Sequence, residues 1–482
     1  MGKLGLTKTS CAILVFFIAV AISAPAQTFT VLADFDRTNG GQPVATLSQG
    51  TDGNFYGTTS EGGSSNFGTV FRMTPSGTLT SLYTFCPGGQ ACTYGSNPVG
   101  GLVQAANGDF YGTTSSGGSN DFAGTVFKVS PAGALTTLHR FDFTDGEYPF
   151  DTLVQAANGN FYGTTGEGGP YNCGTPCGTI FSITPSGTLT MLHSFDDTDG
   201  YYPWGGLVQA SNGDFYGTTV YGGANSSCAD GCGTVFNMTP QGVLTTLYSF
   251  CSQANCADGE YPYAGLVQAT DGNFYGTTYA GANGGGTVFK ISQSGTLTAL
   301  YSFCSQTNCA DGETPYAGLV QGTDGNFYGT TSQGAVNNAG TIFQVTPGGA
   351  LTTLYSFCSQ ANCADGSRSI GGLIQATSGL LYGTTSSGGT GSDGTVFSLS
   401  VGLRPFVKTS PTSGNIGAAV IILGNNLTGT TSVSFNGTVA TFKVISPSAI
   451  KATVPAGATT GFVSVTKPSG TLKSNTKFRV NP

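Results

Sequence analysis

The 482-residue sequence has few charged residues, two histidines and one tryptophan, and it shows no helical periodicity. Only 8% of its residues are charged, and 24 acidic residues outnumber 16 basic ones, which argues against a nucleic-acid partner because such partners require a basic surface. Two histidines are too few to predict a zinc or copper centre built from imidazole ligands. After the N-terminal segment, no apolar run approaches the roughly 20 residues of a membrane-spanning helix.

The N-terminal segment has the parts of a secretory signal peptide. Lys3 and Lys8 precede an apolar run from Cys11 to Ile22, and the small-residue sequence Ala24-Pro25-Ala26 follows. We therefore expect residues 1–26 to be removed. The mature chain is predicted to be secreted, extracellular or at the cell surface, with the periplasm as an alternative, and to have no transmembrane segment.

Glycine and aromatic residues are abundant, and they recur in a repeat that fills most of the chain. The sequence Phe-Tyr-Gly-Thr-Thr, or a near variant, occurs seven times at intervals of 51 to 59 residues, and Gly-Thr-Val/Ile-Phe follows each copy. The repeated tyrosines are Tyr56, Tyr111, Tyr162, Tyr216, Tyr275, Tyr328 and Tyr382. Repetition at this period is typical of β-propeller blades.

Each repeat contains four short runs rich in β-branched and aromatic residues. In residues 265–303 we predict strand a at 265–269, strand b at 274–278, strand c at 286–291 and strand d at 297–303, with an Asp-Gly turn between a and b. We therefore predict an all-β fold with a seven-bladed β-propeller of four antiparallel strands per blade. Its recurrent glycines, such as Gly57 and Gly112, are expected to pack opposite large side chains.

The two ends of the repeat region predict how the ring closes. The last repeat stops after its third strand, whereas residues 28–35 match the pattern of a fourth strand. We predict that residues 28–35 pair with residues 396–400, which removes two exposed sheet edges. A glutamine recurs in strand a of every repeat and either lines the central channel or ties neighbouring blades together; we favour the second role. These residues are Gln49, Gln104, Gln155, Gln209, Gln268, Gln321 and Gln375.

Two family resemblances follow from these motifs. Phe-Tyr-Gly-Thr-Thr, Gly-Thr-Val-Phe, Thr-Pro-Ser-Gly and Leu-Tyr-Ser-Phe, over about residues 28–400, resemble the repeat of secreted bacterial proteins of the Gloeobacter and Verrucomicrobia type, which implies architecture but no chemistry. Residues 405–481 resemble the IPT/TIG family, which implies a C-terminal immunoglobulin-like β-sandwich serving as a spacer or interaction module. We therefore predict a propeller at residues 27–402 and an IPT/TIG domain at 403–482.

Twelve cysteines follow the signal segment, and they fall into close pairs. An even number in an exported chain favours disulfides, which would stiffen loops and not create the fold. No histidine is near a pair in sequence, so the alternative of a metal site is disfavoured. The predicted pairs are Cys86 with Cys92, Cys173 with Cys177, Cys228 with Cys232, Cys251 with Cys256, Cys304 with Cys309, and Cys358 with Cys363.

Where a repeat lacks the cysteine pair, an aspartate replaces the first cysteine. Asp36, Asp142 and Asp196 begin Asp-x-x-Asp/Asn-Gly sequences, which allow a calcium loop but favour a self-capping turn because the bidentate glutamate is missing. His139 and His193 occupy a strand-d position held elsewhere by tyrosine, so we predict that both are packed or edge residues and that no Ser-His-Asp site exists. The sequence predicts no catalytic residue, metal or cofactor.

The loops between strands b and c and the crossovers from strand d to the next strand a vary in length, and both emerge on one face. We predict that this face binds a glycan or an extracellular protein. The candidate ligand-binding residues flank the crossover prolines: Tyr148, Tyr202, Trp204, Tyr261, Tyr263 and Tyr316. These rings can stack on a ligand, although packing between blades is the simpler interpretation. A polysaccharide lyase or hydrolase on the same face and a purely structural surface protein remain alternatives.

Overall fold

The computed structural model describes residues 27–89, 92–118, 122–170, 177–225 and 227–481, together with Gly2. Apart from Gly2, the predicted signal peptide lies outside these ranges. Seven sheets of four antiparallel strands form the propeller, as predicted. Two further sheets follow in the chain. In these ranges no helix is both long and apolar enough to cross a membrane.

The propeller strands are numbered in chain order and grouped by their place in the blade. The short strands a are β2 (Ser48–Gln49), β6 (Val103–Gln104), β10 (Val154–Gln155), β14 (Val208–Gln209), β18 (Val267–Gln268), β22 (Val320–Gln321) and β26 (Ile374–Gln375). Strands b are β3 (Phe55–Thr59), β7 (Phe110–Thr114), β11 (Phe161–Thr165), β15 (Phe215–Thr219), β19 (Phe274–Thr278), β23 (Phe327–Thr330) and β27 (Leu381–Thr385).

The outer strands complete each blade. Strands c are β4 (Thr69–Met73), β8 (Thr125–Val129), β12 (Thr179–Ile183), β16 (Thr234–Met238), β20 (Thr287–Ile291), β24 (Thr341–Val345) and β28 (Thr395–Ser400). Strands d are β5 (Leu79–Thr84), β9 (Leu135–Arg140), β13 (Leu189–Ser194), β17 (Leu244–Ser249), β21 (Leu297–Ser302), β25 (Leu351–Ser356) and, for the seventh blade, β1 (Thr28–Asp34). Short 3₁₀ turns occur at Ala254–Cys256, Thr307–Cys309, Val336–Asn338 and Ala361–Cys363.

The N-terminal strand closes the ring, as predicted. Strand β1 pairs antiparallel with β28, with Thr28 opposite Ser400 and Asp34 opposite Thr395. The ring of Phe29 stacks on Tyr355 of the sixth blade, with ring centroids 3.8 Å apart. The first strand therefore supplies both a ladder and an aromatic contact at the seam.

Neighbouring blades pack through strand b, which is buried along its length. The tyrosine of one strand b stacks on the phenylalanine of the next, as for Tyr56 and Phe110, whose ring centroids are 4.0 Å apart. The glycine after this tyrosine leaves room for a ring of its own sheet: a Cβ on Gly57 would be 2.5 Å from Phe71. The predicted packing of small against large residues is confirmed.

The recurrent glutamines tie blades together, as favoured from the sequence. The side-chain Oε1 of Gln104 accepts the backbone N–H of Thr51 in the preceding blade at 2.8 Å, and Gln49 accepts that of Thr377 across the closing seam at 3.0 Å. Four further seams have the same bond, made by Gln209, Gln268, Gln321 and Gln375. Each bond satisfies a donor in an a–b turn that the short strand a leaves unpaired.

The residues after the propeller form a β-sandwich. One sheet has the order β29-β31-β35-β34 and the other β30-β37-β36-β32-β33. Between them lies an apolar core that includes Ile422, Ile450, Val463 and Phe478. The strands are β29 (Lys408–Ser410), β30 (Ser413–Gly414), β31 (Ala419–Leu423), β32 (Ser432–Phe435), β33 (Thr438–Val439), β34 (Phe442–Ser446), β35 (Ala449–Thr453), β36 (Gly461–Lys467) and β37 (Gly470–Val480).

The sandwich contacts the propeller on the face formed by the a–b turns. The Ser448 hydroxyl donates to the carbonyl of Thr51 at 2.7 Å, and the backbone N–H of Arg404 donates to the Thr323 hydroxyl at 3.1 Å. We call this face the base. The b–c loops and d–a crossovers lie at the opposite end of the blades, on what we call the loop face.

Candidate functional site

Within the described residues, five disulfides cross-link the loop face. They join Cys86 to Cys92, Cys228 to Cys232, Cys251 to Cys256, Cys304 to Cys309, and Cys358 to Cys363, as predicted. In the sixth predicted pair, Cys173 lies outside the described residues. All five bridges lie in b–c loops or d–a crossovers. They therefore stiffen the loops on which a ligand site of this face would lie.

The aspartates that replace cysteines cap their own turns. Oδ1 of Asp36 accepts the backbone N–H and the hydroxyl of Thr38, at 3.0 and 2.7 Å, and these bonds lower the pKa of the carboxyl. Asp142 and Asp196 make the same contacts to Thr144 and Thr198. The self-capping interpretation of these loops is confirmed.

Each of the two histidines contacts an aspartate in the crossover that follows its strand. His139 Nε2 lies 2.7 Å from Oδ2 of Asp145, and His193 makes the equivalent contact with Asp199. In other blades a tyrosine makes the equivalent contact with a crossover aspartate. The Tyr248 hydroxyl, for example, donates to buried Asp258 at 2.7 Å. Both histidines are therefore packed residues, as predicted.

The loop face holds a ring of seven equivalent side chains at the beginning of the strand-a segments. The chain leaves each crossover through a residue with left-handed backbone, φ 51–59°, as at Tyr202. Two backbone bonds fix this conformation: Tyr202 N–H donates to Cys177 O, and Val220 N–H donates to Tyr202 O. The side chain two residues later lies at the axis. This axial ring consists of Val44, Val99, Phe150, Trp204, Tyr263, Tyr316 and Ile370.

The axial ring surrounds a cavity of about 520 Å³. Its aromatic members come from blades three to six, and its aliphatic members from blades seven, one and two. Tyr202 and Tyr221 add two further rings to the aromatic side. The cavity therefore has one aromatic wall and one aliphatic wall.

The rings of the aromatic wall contact one another. Trp204 stacks on Phe150 with centroids 3.9 Å apart, and its ring meets Tyr263 edge-on at 5.7 Å. Tyr263 lies 5.1 Å from Tyr316, and its hydroxyl is 3.5 Å from that of Tyr221. Burial raises the pKa of Tyr202 to about 12. At neutral pH the phenol is protonated, and its hydroxyl can donate a hydrogen bond to a ligand.

Asp151 is the acidic residue of this cavity within the described part of the chain. Its two carboxylate oxygens accept the backbone N–H groups of Thr152 and of Gly206 in the next blade. Burial raises the pKa of Asp151, and these two bonds oppose the rise. The six other blades have glycine or alanine at the equivalent position, so Asp151 is the one polar side chain among these seven positions.

A second acidic feature lies in the third blade. The backbones of Glu147 and Glu167 pair with each other, and their carboxyls are close enough to interact. Burial, together with the charge of Glu167, raises the pKa of Glu147 to about 7. Glu147 is only 5% exposed, and its Oε2 has no hydrogen-bond partner within the described residues.

The structure brings four of the six candidate residues to the cavity: Tyr202, Trp204, Tyr263 and Tyr316. Tyr148 lies beside it against Phe150, with centroids 5.8 Å apart, and Tyr261 lies beside it against Tyr221 at 5.7 Å. Phe150, Asp151 and Tyr221 were not predicted. Phe150 could have been found, because it follows a crossover proline as Trp204, Tyr263 and Tyr316 do.

Comparisons with known proteins address the architecture. The family model described as Gloeobacter/Verrucomicrobia repeat matches residues 18–229 and 221–443. Among solved structures, the chain is similar to the extracellular domain of the protein designated hybrid two-component system BT3049 from B. thetaiotaomicron, with 11% identity and a TM-score of 0.51. That match covers 94% of this chain, which spans 58% of the length of the other.

A second similar structure is XC5397 from Xanthomonas campestris, described as a gluconolactonase, with 12% identity and a TM-score of 0.40 over 81% of this chain and 94% of that one. No curated protein matches the chain. At 11% identity, the similarity to the BT3049 domain concerns the fold and not the ligand.

Proposed function

The chain belongs to the Gloeobacter/Verrucomicrobia repeat family, and from that premise we propose that it is an extracellular recognition protein that binds a neutral glycan in the cavity of its loop face. Disulfides support an extracellular location, since such bonds persist in oxidising compartments. Residues 27–402 would form the recognition unit, and residues 403–482 an IPT/TIG-type interaction unit.

The observation that carries this proposal is the uneven axial ring. Equivalent positions are aromatic in four consecutive blades and aliphatic in the other three, although the same packing task recurs in every blade. Packing alone does not require this difference. Aromatic rings can stack on the apolar faces of sugar rings, and the phenols and Asp151 offer hydrogen bonds to sugar hydroxyls. The cavity volume of about 520 Å³ is that of a small-molecule site.

The side chains around the cavity favour a neutral sugar. The described lining residues include no lysine, arginine or histidine, whereas they include the carboxyl group of Asp151. A uronic acid or a phosphorylated sugar would bring a second negative charge to this wall, and the described lining residues offer no cation to pair with it. A concave cavity of this volume suits an oligosaccharide better than the flat surface of a protein partner.

A glycan array probed with the mature chain tests the proposal. We expect binding to at least one class of neutral oligosaccharide, and a loss of about tenfold or more in affinity for Trp204→Ala and Tyr263→Ala. Val99→Ala, at the equivalent position of the aliphatic wall, is the matched control and should keep wild-type affinity within about threefold. Wild-type affinity in both aromatic variants would show that the glycan does not bind in this cavity.

One observation favours a second function, that of a polysaccharide lyase or hydrolase. Asp151 combines a raised pKa with nearby phenols, a combination that is typical of catalytic acids and bases. A typical glycosidase has two carboxyl groups in one cleft, and Asp151 alone lines this cavity among the described acidic residues. Release of reducing ends or unsaturated products by the wild type, lost in Asp151→Asn, would favour the enzyme.

A further inference from the structure

Two disulfides of the loop face lie next to each other. Cys228 and Cys232 are joined in the b–c loop of the fourth blade, and Cys251 and Cys256 in the crossover from the fourth blade to the fifth. The fourth repeat is the one repeat whose sequence has a cysteine pair in both of these segments. The fold therefore brings together two pairs that strands β16 and β17 separate in sequence.

A carboxyl group completes the group of sulfur atoms. The Sγ atom of Cys228 is 3.1 Å from Oε2 of Glu260. The three cysteines of the group are buried, and Glu260 is partly buried. One ligand atom from each member lies within 4.8 Å of every other. This cysteine–glutamate cluster consists of Cys228, Cys232, Cys251 and Glu260.

The contact between Cys228 and Glu260 needs a proton or a cation. A sulfur atom in a disulfide has no hydrogen to donate, and an ionised carboxylate only accepts. Burial raises the pKa of Glu260, which favours a protonated carboxyl beside the intact bridge. Once the bridge is reduced, the same sulfur and oxygen atoms can all ligate a cation.

We propose that the cysteine–glutamate cluster binds one zinc ion when its two disulfides are reduced. Ligands at about 2.3 Å from a tetrahedral ion lie about 3.8 Å from one another, which is within the 4.8 Å spread of the cluster. Three thiolates and one carboxylate suit zinc, because calcium and magnesium take oxygen ligands and copper(I) prefers soft sulfur ligands. Such a site needs no histidine, and its ligands come from two segments that lie apart in the sequence.

Reduction of the bridges comes first, and a dithiol supplies it. For each bridge the dithiol gives two electrons and two protons, so that the disulfide becomes two thiols and the dithiol becomes a disulfide. Zinc then displaces the protons of the Cys228, Cys232 and Cys251 thiols and of the Glu260 carboxyl, and these protons pass to the solvent. Cys256 keeps its thiol, since it is not a member of the cluster.

A zinc ion here would connect two segments that the disulfides fasten separately. Each bridge closes its own segment, whereas the ion takes ligands from both the b–c loop and the crossover. Tyr261 in the crossover donates its backbone N–H to Cys232 O at 3.0 Å. Tyr263 of the aromatic wall follows two residues later. Under reducing conditions the ion would therefore hold together the loops that lie beside this wall.

Cobalt(II) is the probe for this site, because tetrahedral thiolate coordination gives it intense visible bands and a near-ultraviolet charge-transfer band. The mature full chain is reduced with dithiothreitol, separated from it by gel filtration under nitrogen, and titrated with cobalt chloride. We expect one equivalent of cobalt to produce both sets of bands and one equivalent of zinc chloride to abolish them. The oxidised chain should give neither set.

Variants of the reduced chain test the ligands. Glu260→Gln and the double variant Cys251→Ser/Cys256→Ser should each lower zinc affinity about tenfold or more, measured by competition with a chromophoric chelator. Cys304→Ser/Cys309→Ser is the matched control. It removes a pair of the same spacing from the next crossover, where the possible ligand group has three members instead of four. Its zinc affinity should stay within about threefold of wild type.

Four results would overturn the proposal. They are the absence of the charge-transfer band from the reduced wild type, an equal loss of zinc affinity in the two double variants, wild-type affinity in either Glu260→Gln or Cys251→Ser/Cys256→Ser, and a reduced chain whose β-sheet circular dichroism is lost and not restored by zinc. Trp204→Ala should bind zinc as the wild type does, so zinc binding can fail while glycan binding in the cavity succeeds, and the reverse.

Discussion

The indole ring of Trp204 stacks on the phenyl ring of Phe150, with centroids 3.9 Å apart and planes 16° apart. The two residues come from equivalent positions in the third and fourth blades. Phe150 covers one side of the indole and so holds it at the edge of the cavity.

Phe150→Ala is therefore expected to weaken glycan binding, because it removes one ring of the aromatic wall and the ring that supports Trp204. An aromatic pair contributes about 0.5–1.5 kcal/mol, so its loss should lower affinity about threefold to tenfold. Titration calorimetry with the oligosaccharide selected on the array measures the change. Ile370→Ala, in the aliphatic wall, is the control, and an equal loss in both variants would contradict a specific role for the stack.

Gly57→Ala is expected to destabilise the propeller. The added Cβ would be 2.5 Å from the ring of Phe71, a contact that requires the ring or the sheet to move, so we expect a loss of about 1–3 kcal/mol in the free energy of unfolding. Urea denaturation measures it. Gly348→Ala is the control, because its added Cβ would meet nothing closer than 3.9 Å. Equal stability of the two variants would contradict the packing account.

Glu147→Gln is expected to stabilise the protein at high pH. The pKa of Glu147 is raised from 4.5 to about 7, so between these values the unfolded chain has lost a proton that the folded chain keeps, and the free energy of unfolding falls as pH rises. Glutamine does not titrate, so this decrease in the free energy of unfolding is absent from the variant. Relative to wild type it should gain about 1–2 kcal/mol between pH 5 and pH 8.

Urea denaturation of both proteins at several pH values measures this gain. Glu313→Gln is the control: Glu313 is at the equivalent position in the sixth blade, but it faces Gln333 and not a second carboxyl. It should show no comparable gain. Parallel pH profiles for wild type and Glu147→Gln would contradict the raised pKa of Glu147.

Removal of one disulfide is expected to loosen a crossover without unfolding a blade. Cys304 and Cys309 are five residues apart, and a loop this short contributes roughly 2 kcal/mol by chain entropy. The variant Cys304→Ser/Cys309→Ser should keep its far-ultraviolet circular dichroism and unfold at a lower urea concentration. Loss of the β-sheet signal in buffer would show that the bridge is needed to form the fold.

Most of the fold could be predicted from the sequence, because every blade repeats the same strand and turn signals. Even the closing pair of strands β1 and β28 was predictable, since one repeat lacks its last strand and the N-terminal segment supplies it. Strand a is shorter than predicted: only Val267–Gln268 of residues 265–269 pair. Gly265 packs against the backbone of Gly206 instead, and Ala269 N–H bonds to Asn273 O in the turn.

The site was less predictable, because it depends on direction as well as on residue type. Tyr261 and Tyr263 flank the same proline, yet only Tyr263 lies on the axis, since the left-handed backbone at Tyr261 turns the chain between them. Asp151 was missed because its position holds a small residue elsewhere.

The most direct test of glycan binding in the cavity uses the fluorescence of Trp204, which is the single tryptophan of the chain. Its emission should shift on titration with cellohexaose, xylohexaose or laminarihexaose, whichever binds most tightly on the array, and acrylamide should quench it less in the complex. The midpoint of the shift should equal the dissociation constant from calorimetry. Tight binding of the hexasaccharide with unchanged emission and unchanged quenching would contradict the account.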